Sequence, residues 1–439
     1  MREQTWIRWA YGVILGVLIS WFLFPSLSLE ATKPQTPAST EIRGVWLTNV
    51  ASGVLFTPWG VHLAMYQLAE QNFNTIYPVV WNRGNTFYES AVAKRETGRS
   101  QAPFLRLFHL GADVLDELIK LGDRHEIRVI PWFEYGFMTP RNSNLAKLHP
   151  QWLSETQQGQ KTQTEIPDEL NPADIPNPPA SKENWQQFLV PENVWLNPLH
   201  PDVQDFILDL IVELVSHYNI DGIQLDDHFG MPVESGYDGF TVKLYHQEHQ
   251  GSPPPDNPFD ADWMRWRADK ISTFMETLYK AIKSVNPDCI VSLSPNSQDF
   301  AYRKYLQDWG TWVERGWVDE LLVQVYRNDL NVFKTELAQP AIQTAQQKIP
   351  VGIGILTGTL VRSVPIQQIQ EQVQVVRDRR LNGVSFFYMG NPLELSHPRV
   401  TPRTSQSIPG PLFSTHSLGV PGLHSCRPIS LSFNSLTVL

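Results

Sequence analysis

The chain has 439 residues and a formal net charge of −10, from 35 Lys and Arg against 45 Asp and Glu. That length holds one large barrel domain or two ordinary ones, and the acidic balance argues against nucleic acid as the main partner, because phosphate binding needs a basic face. Two cysteines, Cys289 and Cys426, are too far apart in sequence to read as a disulfide framework.

At the N-terminus, Arg2 and Arg8 precede the apolar run YGVILGVLISWFLFPSLSL. A basic start followed by an apolar core predicts export, with residues 1–30 acting as a signal peptide or as a membrane anchor. Residues 31–41, rich in Pro, Thr, Ser and Ala, read as a linker. The globular part is expected over 42–400, and the Ser-, Pro- and Gly-rich tail over 401–439 is expected to be poorly ordered. The expected location is therefore extracytoplasmic, periplasmic or secreted, with the N-terminal segment as the expected means of any membrane attachment.

Eight short apolar runs follow the linker: IRGVWLTNV (42–50), FNTIYPVVWN (73–82), IRVIPWFEYG (127–136), IDGIQLDDHF (220–229), CIVSLSPN (289–296), ELLVQVYRN (320–328), IPVGIGILTG (349–358) and NGVSFFYMGN (382–391). Between them lie helical patterns. In PDVQDFILDLIVELVSHY, the residues Val203, Phe206, Ile207, Leu210, Ile211, Leu214 and Val215 recur at helical spacing, and Pro201 suits a first turn. Strands alternating with helices predict an α/β fold, a (β/α)8 TIM barrel with long loops after the third and fourth strands, over 156–194 and 228–260. An open doubly wound sheet competes, but no Gly-rich phosphate-binding turn follows the first run.

Barrel chemistry sits at the C-terminal ends of strands. Reading those ends in order gives Trp46 and Asn49, then Trp81, Asn82 and Arg83, then Glu134, then Gln224, Asp226, Asp227 and His228, then Asn296, then Gln324 and Tyr326, and finally Tyr388. Aromatic faces and amides at one mouth suit sugar rings, with their apolar C–H patches and hydroxyl rims. Glycoside hydrolysis needs two carboxyl groups, and Asp226 and Glu134 supply them from neighbouring runs. Strand alternation turns Gly222, Gln224 and Asp226 inward and Ile223 and Leu225 outward, so Asp226 is the leading nucleophile or base and Asp227 its supporting neighbour. Glu134 is the candidate general acid. The remaining mouth residues are candidate substrate contacts, with Trp46 and Trp81 stacking on sugar rings. Taken singly, each has a plainer reading as a cap, an ion-pair partner or core filler. No cofactor and no metal is expected. The competing readings are a metal-dependent carbohydrate deacetylase, with the Asp-Asp-His run or the HQEH histidines His246 and His249 as ligands, and a glycan-binding barrel without catalysis.

The run WLNPLHPDVQDFILDLIVELVSHYNIDGIQLDDHF (195–229) resembles the signature segment of the glycosyl-hydrolase-like 10 family. The opening EIRGVWLTNV, the second-run NFNTIYPVVWNRGNTFYES and LLVQVYRND match it as well, so the resemblance spans about residues 41–395. It implies an exported or lipid-anchored barrel glycosidase, similar to bacterial enzymes that cut peptidoglycan glycan strands lacking stem peptides. The family form of the fourth run carries Tyr where this chain has His228. DGIQLDD also looks like the fourth-strand motif of the α-amylase superfamily, where the Asp at the position of Asp226 is the nucleophile. There the likeness is partial: an Arg normally stands where Gln224 does, and SLSPNS lacks the Glu that acts as acid.

Overall fold

The computed structural model of the protein describes residues 41–49, 52–109, 111–163, 192–359 and 362–387. The apolar N-terminal run, most of the linker, Tyr388 and the tail lie outside the described residues. No helix among the described residues is long and apolar enough to cross a membrane.

One parallel sheet organises the described chain. Its strands are β1 (Ile42–Leu47), β2 (Thr75–Pro78), β3 (Arg128–Val129), β4 (Trp132–Phe133), β5 (Gly222–Asp226), β6 (Ile290–Ser294), β7 (Glu320–Gln324), β8 (Val351–Leu356) and β9 (Gly383–Phe387). In space they run β3-β2-β1-β9-β8-β7-β6-β5-β4. The first and last of that order, β3 and β4, are two halves of the third predicted run. Pro131 separates them, since it has no N–H to give to a ladder. The segment stays bonded on both sides: Ile130 N donates to Ile76 O at 3.0 Å, Val80 N to Trp132 O at 2.9 Å, and Gln224 N to Pro131 O at 2.7 Å. The sheet is thus strongly curled, with helices on its outside.

The helices that cover it are those whose apolar faces the sequence marks. α1 (Pro58–Glu70), α2 (Val114–His125), α3 (Pro201–His217), α4 (Ala261–Val285) and α5 (Ile366–Asp378) are the longest. The α3 helix buries all seven residues of its predicted face. At about 1.5–3 kcal/mol per buried side chain, that face contributes roughly 10–20 kcal/mol before chain entropy is subtracted. His200 caps its start through Nδ1, 3.3 Å from Asp202 N.

Two expectations about strand length are corrected. The second run does not continue as one strand to Asn82. Instead Trp81–Asn82 forms a small antiparallel hairpin with Asn85–Thr86, turning at Arg83 and Gly84, whose φ values are +51° and +71°. The third run ends its ladder at Phe133, and the chain turns at Gly136 (φ +46°), where an added Cβ would lie 2.5 Å from His228 O. Only glycine admits so close a backbone approach. The loop after β5 is built rather than slack. It contains the helix Gly239–Glu248, and Arg267 of α4 reaches into it. The buried Arg267 guanidinium donates to the carbonyls of Val233, Ser235 and Pro258 at 2.6, 2.5 and 2.7 Å, and its Nε to Trp263 O at 3.3 Å.

Inside the curl, beneath the strand ends, polar side chains are paired in a line. Trp46 Nε1 donates to Gln224 Oε1 (2.7 Å), Gln224 Nε2 to Ser292 Oγ (3.0 Å), Ser292 Oγ to Glu320 Oε1 (3.1 Å), and Arg128 Nη2 to Glu320 Oε2 (3.1 Å). Buried polar groups need such partners, and here each supplies the next.

Candidate active site

The two carboxyls singled out in the sequence lie at neighbouring strand ends. β4 and β5 pair with Gln224 opposite Trp132 and Leu225 opposite Phe133, where the ladder ends, and Asp226 and Glu134 are the residues that follow these along each chain. Both side chains are buried, Asp226 at 3% exposure and Glu134 at 7%.

Asp226 is held from β6 and β7. Its Oδ1 accepts from Ser294 Oγ at 2.9 Å and from Gln324 Nε2 at 2.7 Å, while Gln307 Nε2 grips its main-chain oxygen at 2.9 Å. Burial, and then the neighbouring Asp227 charge, push its carboxyl up to about 8. Donors around it, His228 among them, work the other way.

Glu134 is held from β1 and the hairpin. Thr48 Oγ1 donates to its carboxylate at 3.1 and 3.2 Å, and Asn82 Nδ2 donates to Oε2. Burial outweighs these bonds and pushes the carboxyl up to about 7. Both acids therefore hold their protons close to neutral pH, the range in which a carboxyl can serve as an acid or a base.

Asp227 points to the side, as alternation requires. Its Oδ2 accepts from Asn296 Nδ2 at 2.9 Å, and its Oδ1 lies 2.9 Å from His228 Nδ1. The His228 ring sits among Tyr135, Trp195 and Tyr305 at centroid distances of 6.1, 5.7 and 6.4 Å. Arg83 reaches Tyr135 Oη with Nε at 3.3 Å. Tyr326 stacks on Phe387 at 5.6 Å. Asn49 and Asn82 each carry a buried side-chain oxygen that has no hydrogen-bond partner among the described residues.

Three sequence candidates do not stand where a sugar could touch them. Trp46 and Gln224 are bonded to one another below the mouth and are buried at 1% and 0% exposure. Trp81 is buried too, its ring edge-on to Phe206 and its Nε1 donating to Gly136 O at 2.9 Å. These side chains build the floor and the wall. Tyr388 is outside the described residues. Conversely, Thr48, Gln307, Trp195 and Tyr305 belong to the site, and strand-end reading missed them. Thr48 had a signal, since it lies between Trp46 and Asn49 at the end of the first run. Of the other three, Trp195 ends the short strand Asn193–Trp195, and Tyr305 and Gln307 lie at and just past the end of the helix Gln298–Tyr305, elements whose approach no periodicity announces.

Asp226, Asp227 and His228 place one potential ligand atom each within 4.8 Å of one another, the spacing of a metal site. Their bonding does not fit one. His228 Nδ1 faces Glu134 O at 3.0 Å as well as Asp227 Oδ1, and both can only accept, so Nδ1 carries a hydrogen and has no lone pair to give. His246 and His249 sit on and just past the Gly239–Glu248 helix, with His249 Nδ1 bonded to Tyr245 O at 2.9 Å. Two surface hollows of about 410 Å³ each, one beside Trp152 and Asp202 and one beside Trp59 and Tyr66, include neither Glu134 nor Asp226.

The chain is similar in part to known proteins. The Escherichia coli K12 glycosyl hydrolase DigH is 28% identical over 146 residues, 30% of this chain and 31% of its own length. The Bacillus subtilis glycosyl hydrolase YngK is 25% identical over 149 residues, 30% of this chain and 28% of its own. The chain thus aligns with under a third of either relative. Among solved structures, the glycoside hydrolase domain of PgaB (BpsB) from Bordetella bronchiseptica superposes with a TM-score of 0.56 at 13% identity, over 82% of this chain and 96% of that one. The α-L-fucosidase isoenzyme 2 from Paenibacillus thiaminolyticus gives 0.54 at 16% identity, over 80% and 46%. At such identities these two speak for the fold, a curled parallel sheet with helices like that of glycoside hydrolase barrels. The family model for glycosyl hydrolase-like 10 matches residues 41–170 and 169–376, and on that span the chain belongs to the glycosyl hydrolase-like 10 family.

Proposed function

We propose that the protein is a glycoside hydrolase that cleaves O-glycosidic bonds of a bacterial polysaccharide, peptidoglycan glycan strands first among them, with Glu134 and Asp226 as its two carboxyl groups. The observation that carries this reading is the pair itself: two buried acids on adjacent strand ends, both holding protons near neutrality. Buried carboxyls that are merely structural tend to meet Arg or Lys, as Glu320 meets Arg128. These two meet amides, hydroxyls and an imidazole.

In this reading the curled sheet closes between β3 and β4 into a complete (β/α)8 barrel, and its mouth receives the glycan. Glu134 gives its proton to the leaving oxygen; with its carboxyl pushed up to about 7 and that of Asp226 to about 8, the productive form, Glu134 protonated and Asp226 ionised, is the less populated of the two singly protonated forms. Asp226 acts from the other side as nucleophile or as base toward water. Positive charge developing on the sugar ring relieves the repulsion from Asp227 and favours the Asp226 anion, which Ser294 and Gln324 then stabilise. Asn49 and Tyr326 contact substrate at the rim, while Asn82, buried behind them, holds the Glu134 carboxyl through its Nδ2 donor. The peptidoglycan assignment rests on the family resemblance. The basic and apolar N-terminal run supports an extracytoplasmic site of action.

The test is digestion of purified glycan strands, with and without stem peptides, read by product mass and by the anomer first released. New reducing ends from stripped strands are the expected result. Intact strands of both kinds after long incubation would refute the assignment, and binding without cleavage would leave a glycan-binding barrel.

A further inference from the structure

The catalytic reading leaves His228 unused, yet His228 is the residue that ties the ends of β4 and β5 together. Its Nδ1 lies 2.9 Å from Asp227 Oδ1, 3.0 Å from the main-chain oxygen of Glu134, and 3.7 Å from Asp226 Oδ2. The first two are acceptors within hydrogen-bond distance, so one N–H is shared between Asp227 and the Glu134 carbonyl, with Asp226 beyond hydrogen-bond reach. Asp227 is itself anchored, since its other oxygen accepts from Asn296 Nδ2 at 2.9 Å. The line of contacts therefore runs from beyond β6, through Asp227 and His228, to the peptide unit that carries the Glu134 side chain. The backbone repeats the link in the opposite sense: Phe137 N donates to His228 O at 3.2 Å, over the glycine turn at 136. Tyr135, Trp195 and Tyr305 surround the imidazole with rings and fix its plane.

We infer that His228 is a positioning residue. Through its single shared N–H it fixes the Glu134 main chain against Asp227, and so sets the separation between the Glu134 and Asp226 carboxyls that a glycosidic bond must fit. This rests on the reading of those two acids as the catalytic pair. It differs from a sugar-binding role for His228, because the polar atom that faces the site's centre is already committed within the protein. Positioning of this kind acts on turnover, since a carboxyl displaced by about 1 Å loses roughly 100-fold in rate, whereas ground-state binding is carried by other groups.

Two variants separate the ring from its N–H. His228→Phe keeps a flat ring among Tyr135, Trp195 and Tyr305 but removes the donor. His228→Asn loses the ring but places an amide N–H where Nδ1 stood. Both are compared with wild type, Asp226→Asn and Glu134→Gln on glycan strands. We expect the Phe variant to melt close to wild type and to lose about 100-fold in kcat with KM within about threefold. The Asn variant should recover to within about tenfold of wild type. The limb of the pH–rate profile that belongs to the aspartate pair should move upward in the Phe variant, because Asp227 loses its imidazole donor and the pair loses the polar neighbour that favours its ionised form. A crystal structure of the Phe variant should show the two carboxyls displaced by more than about 0.5 Å. Unchanged kcat in the Phe variant, a loss confined to KM, or an Asn variant no better than Phe would overturn the inference while leaving the catalytic pair intact. Full activity in Asp226→Asn or Glu134→Gln, or no cleavage by wild type, would instead overturn the catalytic reading, and with it the role of His228.

Discussion

Replacing Glu134 by Gln should stabilise the protein at alkaline pH while destroying its activity. The Glu134 carboxyl is pushed from its ordinary 4.5 up to about 7, chiefly by burial. At about 1.4 kcal/mol per pH unit, this corresponds to about 3 kcal/mol. The sign follows from which state binds the proton more tightly. The folded protein keeps it up to about 7, whereas the unfolded chain releases it near 4.5. The favourable contribution is therefore whole below pH 4.5, falls as pH rises, and is gone above about pH 7. Glutamine has nearly the same shape, still accepts from Thr48 and Asn82, and does not ionise. The stability difference, Gln variant minus wild type, should therefore grow by about 3 kcal/mol between pH 4.5 and pH 8. At about 2 °C per kcal/mol for a chain of this size, the two melting curves should separate by roughly 6 °C over that range. Thermal melts at half-unit pH steps measure it, and the titration of Asp226 cancels because both proteins contain it. A difference that stays flat, or shrinks toward alkaline pH, would show that Glu134 is not a buried acid of raised affinity for protons, and would remove the physical basis for its role.

Other outcomes follow from the same geometry. Asp226→Asn and Glu134→Gln should each lower turnover by about 10²–10⁴-fold with the fold retained by circular dichroism; wild-type rates in either would count against that residue. For the wild type, kcat/KM should be bell-shaped with apparent limbs near 7 and 8 that belong to the coupled groups, and a lone inflection near 4 would contradict the burial of both acids. Trp81→Ala should cost about 3–5 kcal/mol of stability, measured by chemical denaturation; a variant of wild-type stability with a raised KM would restore Trp81 as a sugar platform. Activity should survive exhaustive chelation, because the His228 nitrogen that would bind an ion already donates to Glu134 O; loss with EDTA and recovery with Zn²⁺ would favour the deacetylase reading.

What the sequence disclosed and what it withheld divide along a physical line. Period-2 alternation in DGIQLD turns Gly222, Gln224 and Asp226 to one side, and the bonds of Gln224 and Asp226 lie within the curl. The 3.6-residue period marks the buried face of α3 residue by residue. Both are local rules, readable within a dozen positions. The partners are another matter. Trp46 and Gln224 stand 178 positions apart, and Gln324 is 98 positions from Asp226. Such pairs exist only once the sheet has curled, so an indole that seems suited to a sugar proves to be committed to an amide. The same holds for Trp81, whose run carries no mark that the hairpin at Arg83–Gly84 will fold its ring into the core. Pro131 was a legible warning of a broken ladder, but its effect depends on which neighbours bond across the break.

The Arg267 guanidinium reaches further than its own helix. By donating to carbonyls at 233, 235 and 258 it gathers distant points of one long loop onto a single cation built into α4. Small domains commonly fasten such loops with a disulfide or a bound calcium ion. A covalent fastener fails under reductant and a calcium clasp fails under chelation. A planar side-chain cation answers to neither, so this wall of the mouth should keep its shape across changes in thiol redox state and divalent-ion supply.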